Sequence, residues 1–167
     1  METKFEIVPV PTRILTHHDD IVEAIVEYGG DKIGPDDVVC VAESVVAITQ
    51  GGAKRSEDFK PGLLAKVLCR LFPSKGSISG WHSMQALIDA EGGMRVLIAV
   101  ICGFAAKCVG VSGVFYRMAG EQARLIDDVT GTMPPYDKHI VYGPHNPSKV
   151  AEEITSGTGA FGAAVAD

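Results

Sequence analysis

Two apolar stretches of this 167-residue chain each run into an aspartate. Residues 123–126 precede Asp127 and Asp128, and residues 161–166 precede Asp167, where the sequence ends. If both stretches are buried strands, they bring carboxylates to one edge of a sheet, where Mg²⁺ can be held together with a phosphate. The structural alternative is that Asp128 opens a turn and that Asp167 is an exposed chain end.

The segment after the first stretch adds further oxygen atoms. Asp127 and Asp128 are followed by Thr130, Gly131 and Thr132. Two carboxylates and two hydroxyls suit Mg²⁺ or Mn²⁺, and Gly131 would let backbone amides approach a phosphate. On residue types this segment is a better candidate site than the two considered next.

Two other segments contain residue types that could bind a metal or a phosphate, but their spacing fits such a site less well. Residues 17–20, His-His-Asp-Asp, contain metal-ligand types, but a helix start capped by aspartate explains them without a metal. Residues 51–56, Gly-Gly-Ala-Lys-Arg-Ser, are compatible with a phosphate nest or a plain turn and lack the spacing of a Walker loop. The common hydrolase motifs are absent from the sequence.

Composition excludes some classes of function. The net charge is −6, the pI is about 5.3, and the lysines and arginines are scattered, which argues against a nucleic-acid binder. Four cysteines without a C-x-x-C pair, most of them among apolar neighbours, predict buried free thiols in a reducing compartment. The first residues lack a signal pattern, so we expect a cytoplasmic protein.

The order of elements predicts an α+β fold, with a mixed sheet and a helical layer. Strands are expected at residues 5–10, 38–42, 123–126, 139–142 and 161–166. Helices are expected at residues 21–28, 63–72, 83–90, 94–107 and 147–154, with a flexible link at 155–159. Residues 45–48 fit either an extended segment or a short helix.

One apolar segment tests the assignment to a soluble class. Residues 96–106 carry no charge, but as a helix they rise only about 16 Å, against about 30 Å of hydrocarbon in a bilayer. The segment is therefore too short to span a membrane. A core helix or a helix at a dimer interface is the favoured interpretation, and peripheral membrane contact is the alternative.

The chain fits one domain, residues 1–167, which contains the apolar helical segment 68–120. It ends at the tip of an apolar strand, whereas chain ends are normally polar and frayed. We therefore expect the chain to be the N-terminal part of a longer protein.

Four motifs follow one another in the first 42 residues: EIVPV at 6–10, RIL at 13–15, DDI at 19–21 and PDDVVCVA at 35–42. This order resembles the opening of the coenzyme F-420 gamma-glutamyl ligase family, which has a VFPV strand, an apolar tripeptide, a GDD-led helix and a GDVLVV strand. Members attach glutamate to a deazaflavin cofactor, using GTP and a divalent metal.

Later motifs are similar only in part. RLID at 124–127 matches the last two positions of the family's NAGID, NPSKVA at 146–151 is similar to its D-P-x-x-S-A helix start, and VAD at 165–167 is similar to its strand ending in D-T. Ile48 stands where the family has a lysine that contacts nucleotide. The resemblance covers residues 5–60 and 123–167, but not the segment 68–120.

The resemblance implies a gamma-glutamyl-ligase-like fold and formation of a γ-glutamyl amide on a coenzyme F-420 precursor, with GTP and Mg²⁺ or Mn²⁺. Its metal ligands would be Asp127 and Asp167. The nucleotide would lie along a set of loop and strand-end residues: Thr12, Arg13, Ile14, Leu15, Glu43, Ser44 and Thr130.

The implied partners are the cofactor precursor, glutamate and a second copy of the chain, without nucleic acid or a membrane span. Ile48 favours a competing class, a non-catalytic ligase-like domain that binds a nucleotide, a metal or a partner helix. A dimeric structural domain without a small-molecule site is the third hypothesis.

Overall fold

The computed structural model describes residues 6–73, 76–127 and 134–166. In these ranges the fold is α+β, as predicted, with helices predominating over small sheets. The helices are α1 (Ile21–Gly29), α2 (Glu43–Thr49), α3 (Leu63–Leu68), α4 (Trp81–Glu91), α5 (Gly93–Cys108), α6 (Val114–Ala119), α7 (Gln122–Leu125) and α8 (Pro147–Thr158). The strands are β1 (Val38–Ala42), β2 (Ala53–Arg55), β3 (His139–Val141) and β4 (Gly162–Ala166).

The strands of the described ranges form two separate pairs rather than one continuous mixed sheet. β1 and β4 run parallel, with Val38 opposite Gly162 and Ala42 opposite Ala166. β2 and β3 are antiparallel. The parallel pair places the carboxyl ends of β1 and β4 side by side, the edge at which α/β proteins commonly bind ligands.

Helices α1 and α8 cover the parallel pair. Helix α1 begins as its sequence predicts, because the Asp20 side chain accepts hydrogen bonds from the backbone N–H groups of Val22 and Glu23. The apolar residues of both helices pack with α2 in one cluster. Its buried members are Leu15, Ile21, Ala24, Val46, Val150 and Ile154.

Residues 45–48, which the sequence left undecided, form part of helix α2. The helix follows β1 without an intervening loop and is fixed at its far end by Gln50. The Gln50 amide donates to the carbonyl of His145 at 3.0 Å and accepts from the backbone N–H of His145 at 2.7 Å. Ile48 is 9% exposed and packs with Ala47 and Val141, so its side chain belongs to the core.

The apolar middle segment forms the main core of the described chain. Helices α3 to α7 contribute fully buried side chains such as Met84, Leu87 and Val96. The same cluster includes Ile126 and also Ile140, which lies in β3 of the antiparallel pair. The middle segment is therefore continuous with the rest of the fold and is not a separate appendage.

Several expectations about individual elements were wrong. Residues 6–10 form no strand, and Pro9 and Pro11 cannot donate to a ladder. Residues 122–125 are helical, and beside them only Asp127 forms an isolated bridge, to Val141. The expected link at 155–159 continues α8 to Thr158, because Gly157 lets this helix pack closely on Val22.

The cysteine prediction is confirmed in one respect and wrong in another. All four cysteines are free thiols, but only Cys69 is buried. Cys40 and Cys108 are exposed because they lie on the solvent sides of β1 and α5.

Helix α5 has sixteen residues, Gly93 to Cys108. Within the described ranges, no helix has the length and hydropathy that crossing a membrane requires.

The contact between α5 and α6 depends on Gly103. A Cβ atom at this position would lie 2.8 Å from the Phe115 side chain and 3.1 Å from its backbone nitrogen. We expect Gly103→Ala to lower the free energy of unfolding by about 1–3 kcal/mol, because the two helices must move apart. Urea denaturation checks this. Gly93→Ala, at the start of the same helix, is the control, since its Cβ meets its nearest neighbour at an ordinary 3.4 Å.

Candidate functional site

A small cleft lies where the start of α2, the end of α7 and the segment after β3 meet. Its lining residues come from three distant parts of the sequence: Glu43, Ser44, Arg124, Leu125, Asp127, Tyr142 and Pro144. Glu43 and Ser44 follow directly on β1, so they lie at the carboxyl end of the parallel pair. The cleft thus lies at the carboxyl end of the parallel pair.

The backbone of Asp127 is fixed by the antiparallel pair. Its N–H donates to the carbonyl of Val141 at 2.8 Å, and its carbonyl accepts from the N–H of Val141 at 3.0 Å. Tyr142, the next residue along, donates its N–H to the carbonyl of Gly52 at 3.0 Å. The two bonds to Val141 use only main-chain atoms of Asp127.

Helix α7 is anchored on two sides by Gln122. The backbone N–H of Gln122 donates to a carboxylate oxygen of Glu91 at 2.9 Å. Its side-chain oxygen accepts from the N–H of Gly143 at 2.9 Å. These bonds attach α7 to α4 and to the segment after β3, and so fix the backbone that carries Arg124 and Leu125.

The cleft combines charges of both signs. Glu43 and Asp127 are acidic, Arg124 is basic, and the Nζ of Lys54 lies 5.4 Å from the centre of the Tyr142 ring. Burial, with a smaller contribution from Asp89, raises the pKa of Tyr142 to about 12. Tyr142 is therefore protonated at neutral pH and is unsuited to act as a base.

The donor chemistry of the cleft fits a hard divalent cation. Carboxylate and hydroxyl oxygens are the ligands that Mg²⁺ and Mn²⁺ prefer, and Glu43, Asp127 and Ser44 offer them. The cleft volume of about 20 Å³ has room for one water or ion but not for a nucleotide. Within the described ranges, there is no group of three or more His, Cys, Asp or Glu residues that could hold a metal ion. Water or phosphate oxygens would therefore have to complete the coordination.

The structure brings together three of the predicted site residues, Glu43, Ser44 and Asp127. Thr130 and Asp167 lie outside the described residues. Asp167 follows Ala166, which is opposite Ala42, the residue that precedes Glu43.

The predicted nucleotide loop, Thr12 to Leu15, does not line the cleft within the described chain. The Arg13 guanidinium is paired with Asp19, with one N–O distance of 3.0 Å. This pairing lowers the pKa of Asp19 and raises that of Arg13. Leu15 is buried, and its carbonyl accepts from the Tyr136 hydroxyl at 3.1 Å.

The histidine and aspartate cluster at 17–20 has a structural explanation. The Asp19 carboxylate also accepts from the backbone N–H of Thr16 at 2.6 Å, and Asp20 caps α1. Both carboxylates are therefore engaged within the turn that precedes α1, as the alternative to a metal site predicted.

A second, larger cavity adjoins the cleft. It has a volume of about 460 Å³ and is lined by Ser77, Ile78, Gly113, Tyr116, Ala123 and Arg124. Arg124 lines both spaces.

Arg124, Tyr142 and Lys54 were not assigned to the site from the sequence. The sequence predicts a strand at residues 123–126, whereas residues 122–125 are helical. The helix propensity of Gln122, Ala123 and Arg124 is the sequence signal that favours the helix. In the sequence, Lys54 belongs to residues 51–56, the segment that is compatible with a phosphate nest or a plain turn. Its position beside Tyr142 depends on the pairing of β2 with β3, which is not visible in the sequence.

Comparison with known proteins gives one match. The family model described as F420-0:Gamma-glutamyl ligase matches residues 9–160. No curated protein and no solved structure matches the chain. The matched range includes the helical segment 68–120, which the sequence resemblance leaves out, and it contains every described residue of the cleft. The chain therefore belongs to the F420-0:gamma-glutamyl ligase family.

Proposed function

We propose that this protein is a GTP- and metal-dependent ligase that joins glutamate to F420-0 through an amide bond between a carboxyl group of F420-0 and the amine of glutamate. The observation that carries the proposal is the convergence of Glu43, Ser44 and Asp127 in one cleft inside the region that matches the family. These residues come from two segments about 80 positions apart in the sequence.

The proposed reaction has two steps. A carboxylate oxygen of F420-0 attacks the γ-phosphorus of GTP, GDP leaves, and an acyl phosphate forms. The amine nitrogen of glutamate then attacks the acyl carbon, inorganic phosphate leaves, and the amine loses a proton to solvent as the amide forms. A divalent cation bound in the cleft would neutralise negative charge on the phosphate oxygens.

The side chains of the cleft have distinct roles in this proposal. The carboxylates of Glu43 and Asp127 hold the cation, and the Ser44 hydroxyl donates a hydrogen bond to a phosphate oxygen. Tyr142 lines the cleft, and the Nζ of Lys54 lies over its ring. Because Tyr142 remains protonated, these groups act by positioning and electrostatics rather than by removing protons.

The residues predicted by resemblance complete the proposal. Asp167 would be a further metal ligand, and its neighbour Ala166 is opposite Ala42 beside Glu43. Thr130 would contact the nucleotide. The loop Thr12 to Leu15 would border the nucleotide outside the cleft, since the cleft has room only for an ion.

Calorimetric titration with GTP and Mn²⁺ tests whether the site exists. Wild-type protein should bind the pair, and Asp127→Ala should bind the metal at least about 10-fold more weakly, because a charged ligand is lost. Asp137→Ala, at an exposed aspartate outside the cleft, is the control. Absence of binding, or equal binding by wild type and Asp127→Ala, would contradict the proposal.

The expected pairing of two copies of the chain has one observation in its favour. The solvent side of α5 exposes large apolar side chains, with Met94 70%, Ile101 60% and Phe104 61% exposed. Isolated apolar side chains are normal on surfaces, whereas a stripe along one helix is typical of an interface. We propose that this stripe, Met94, Ile98, Ile101 and Phe104, joins two copies of the ligase in a homodimer.

Introducing charge into the α5 stripe should separate the dimer. We expect the double variant Ile101→Glu with Phe104→Glu to sediment as a monomer and wild-type protein to sediment as a dimer, because buried carboxylates oppose apolar contact. Analytical ultracentrifugation checks this, with Lys107→Glu at an exposed position of the same helix as the charge control. A wild-type monomer, or a dimer that survives the double substitution, would exclude the interface.

The remaining parts of the proposal concern partners and location. The net charge of −6 supports small-molecule substrates rather than nucleic acid. Four free thiols and the use of GTP support a cytoplasmic location.

A further inference from the structure

The larger cavity has the size and lining of a site for an organic ligand. Its volume of about 460 Å³ falls within the range of small-molecule pockets. Ile78 and Ala123 are buried and apolar, and Tyr116 is 41% exposed. Ser77 and Arg124 add polar groups. An apolar floor with an aromatic ring and one cation suits a ligand that is aromatic and anionic.

The cavity and the cleft are lined by neighbouring residues of one segment, 123–127. Ala123 lines the cavity, Arg124 lines both spaces, and Leu125 and Asp127 line the cleft. A group bound to Arg124 from the cavity side is therefore next to the acidic cleft. The Gln122 contacts to Glu91 and Gly143 fix the backbone of this segment.

Arg124 is the only cationic residue among the described residues that line the two spaces. Its side chain is exposed and forms no ion pair with another residue of the described ranges. The net charge of −6, with Glu43 and Asp127 close by, repels an anionic ligand. Among the described lining residues, Arg124 is therefore the group that attracts an anion, and its planar guanidinium matches a carboxylate in a bidentate contact.

We propose that the cavity binds the acceptor of the ligase reaction, with its aromatic ring against Tyr116 and its carboxylate on Arg124. The inference rests on the proposed function and assigns it a substrate site. Arg124 presents the carboxylate at the mouth of the cleft, where the phosphoryl group arrives. Tyr116 lines the cavity, is 41% exposed, and has its ring edge-to-face with that of Phe115, the ring centres being 5.1 Å apart.

Equilibrium dialysis with F420-0, in the absence of GTP and metal, tests this site apart from catalysis. We expect Arg124→Ala to weaken binding about 10- to 100-fold, since a hydrogen-bonded charge contact is lost. The affinity of Arg124→Lys should lie between that of Arg124→Ala and that of wild type, because an ammonium group keeps the positive charge but cannot form the bidentate contact. Tyr116→Ala should weaken binding about 5-fold or more through loss of stacking. Arg117→Ala, an exposed arginine on α6 that lines neither space, is the matched control.

Steady-state kinetics adds a readout that a structural role would not produce. In Arg124→Ala the KM for F420-0 should rise while the KM for GTP stays at the wild-type value. Wild-type protein that fails to bind F420-0, or Arg124→Ala that binds it with wild-type affinity, would overturn the inference.

The two proposals fail in different ways. If F420-0 binding depends on Arg124 but no amide forms with GTP, Mn²⁺ and glutamate, the acceptor site stands and the ligase function is wrong. If the amide forms and Arg124→Ala has an unchanged KM for F420-0, the ligase function stands and the acceptor site is wrong.

Discussion

Asp127→Asn is expected to lower the rate of amide formation between F420-0 and glutamate by about 10²–10³-fold. The substitution keeps the size of the side chain and one neutral oxygen, but it removes one of the two carboxylate charges that the described residues bring to the cleft. The remaining charge of Glu43 is insufficient to hold a cation that has to offset the charge of the transferring phosphoryl group. The fold should persist, because Asp127 pairs with Val141 through main-chain atoms.

Turnover with GTP, F420-0 and glutamate at a series of Mn²⁺ concentrations checks this prediction. The Mn²⁺ concentration for half-maximal rate should increase in Asp127→Asn, whereas Asp137→Asn should behave as wild type. Thermal unfolding of the variants confirms that structure is retained. Wild-type kcat/KM and metal dependence in Asp127→Asn would remove Asp127 from the site.

Gly120→Ala is expected to reduce the free energy of unfolding by about 3–5 kcal/mol. Gly120 lies between α6 and α7 with φ 113° and ψ 176°, a conformation that only glycine adopts readily. Its added Cβ would also collide with the Glu91 carboxylate. That carboxylate accepts from Arg95 at 2.7 Å and from the N–H of Gln122 at 2.9 Å, so displacing it breaks the anchor of α7.

Two comparisons separate the backbone effect from the collision. Gly110→Ala meets an open space at φ 82°, so it reports mainly the cost of the left-handed backbone. In the double variant Glu91→Ala with Gly120→Ala, the loss should be smaller than the sum of the single losses, because the collision is gone. Urea denaturation measures the free energy of unfolding of Gly110→Ala, Gly120→Ala, Glu91→Ala and the double variant. A Gly120→Ala protein as stable as wild type would show that the described contact is wrong.

The elements whose signals are local were predictable from the sequence. Helix α1 has its Asp20 cap and its apolar face within ten residues, and β1 is a short run of β-branched and small residues. The prediction of a strand at residues 123–126 was wrong because a short apolar run fits a strand or a helix equally well. The α7 conformation is decided by the bonds of Gln122 to Glu91 and Gly143, which are distant in sequence.

The candidate site was also predictable only in part. Asp127 was identified by its residue type, and Glu43 and Ser44 by the resemblance to the family. Arg124 and Tyr142 were not found, because their place at the cleft depends on tertiary packing. Ile48 packs in the core with Ala47 and Val141, so its side chain contributes no charge to the cleft.

The measurement that tests the account most directly is mass spectrometry of the product formed from F420-0, glutamate, GTP and Mn²⁺. The account predicts a product heavier than F420-0 by one glutamyl residue, with GDP and phosphate released in equal amounts, and its formation should be lost in Asp127→Asn. Unchanged F420-0 with wild-type protein, under conditions in which GTP and Mn²⁺ are bound, would contradict the ligase function and favour a non-catalytic domain.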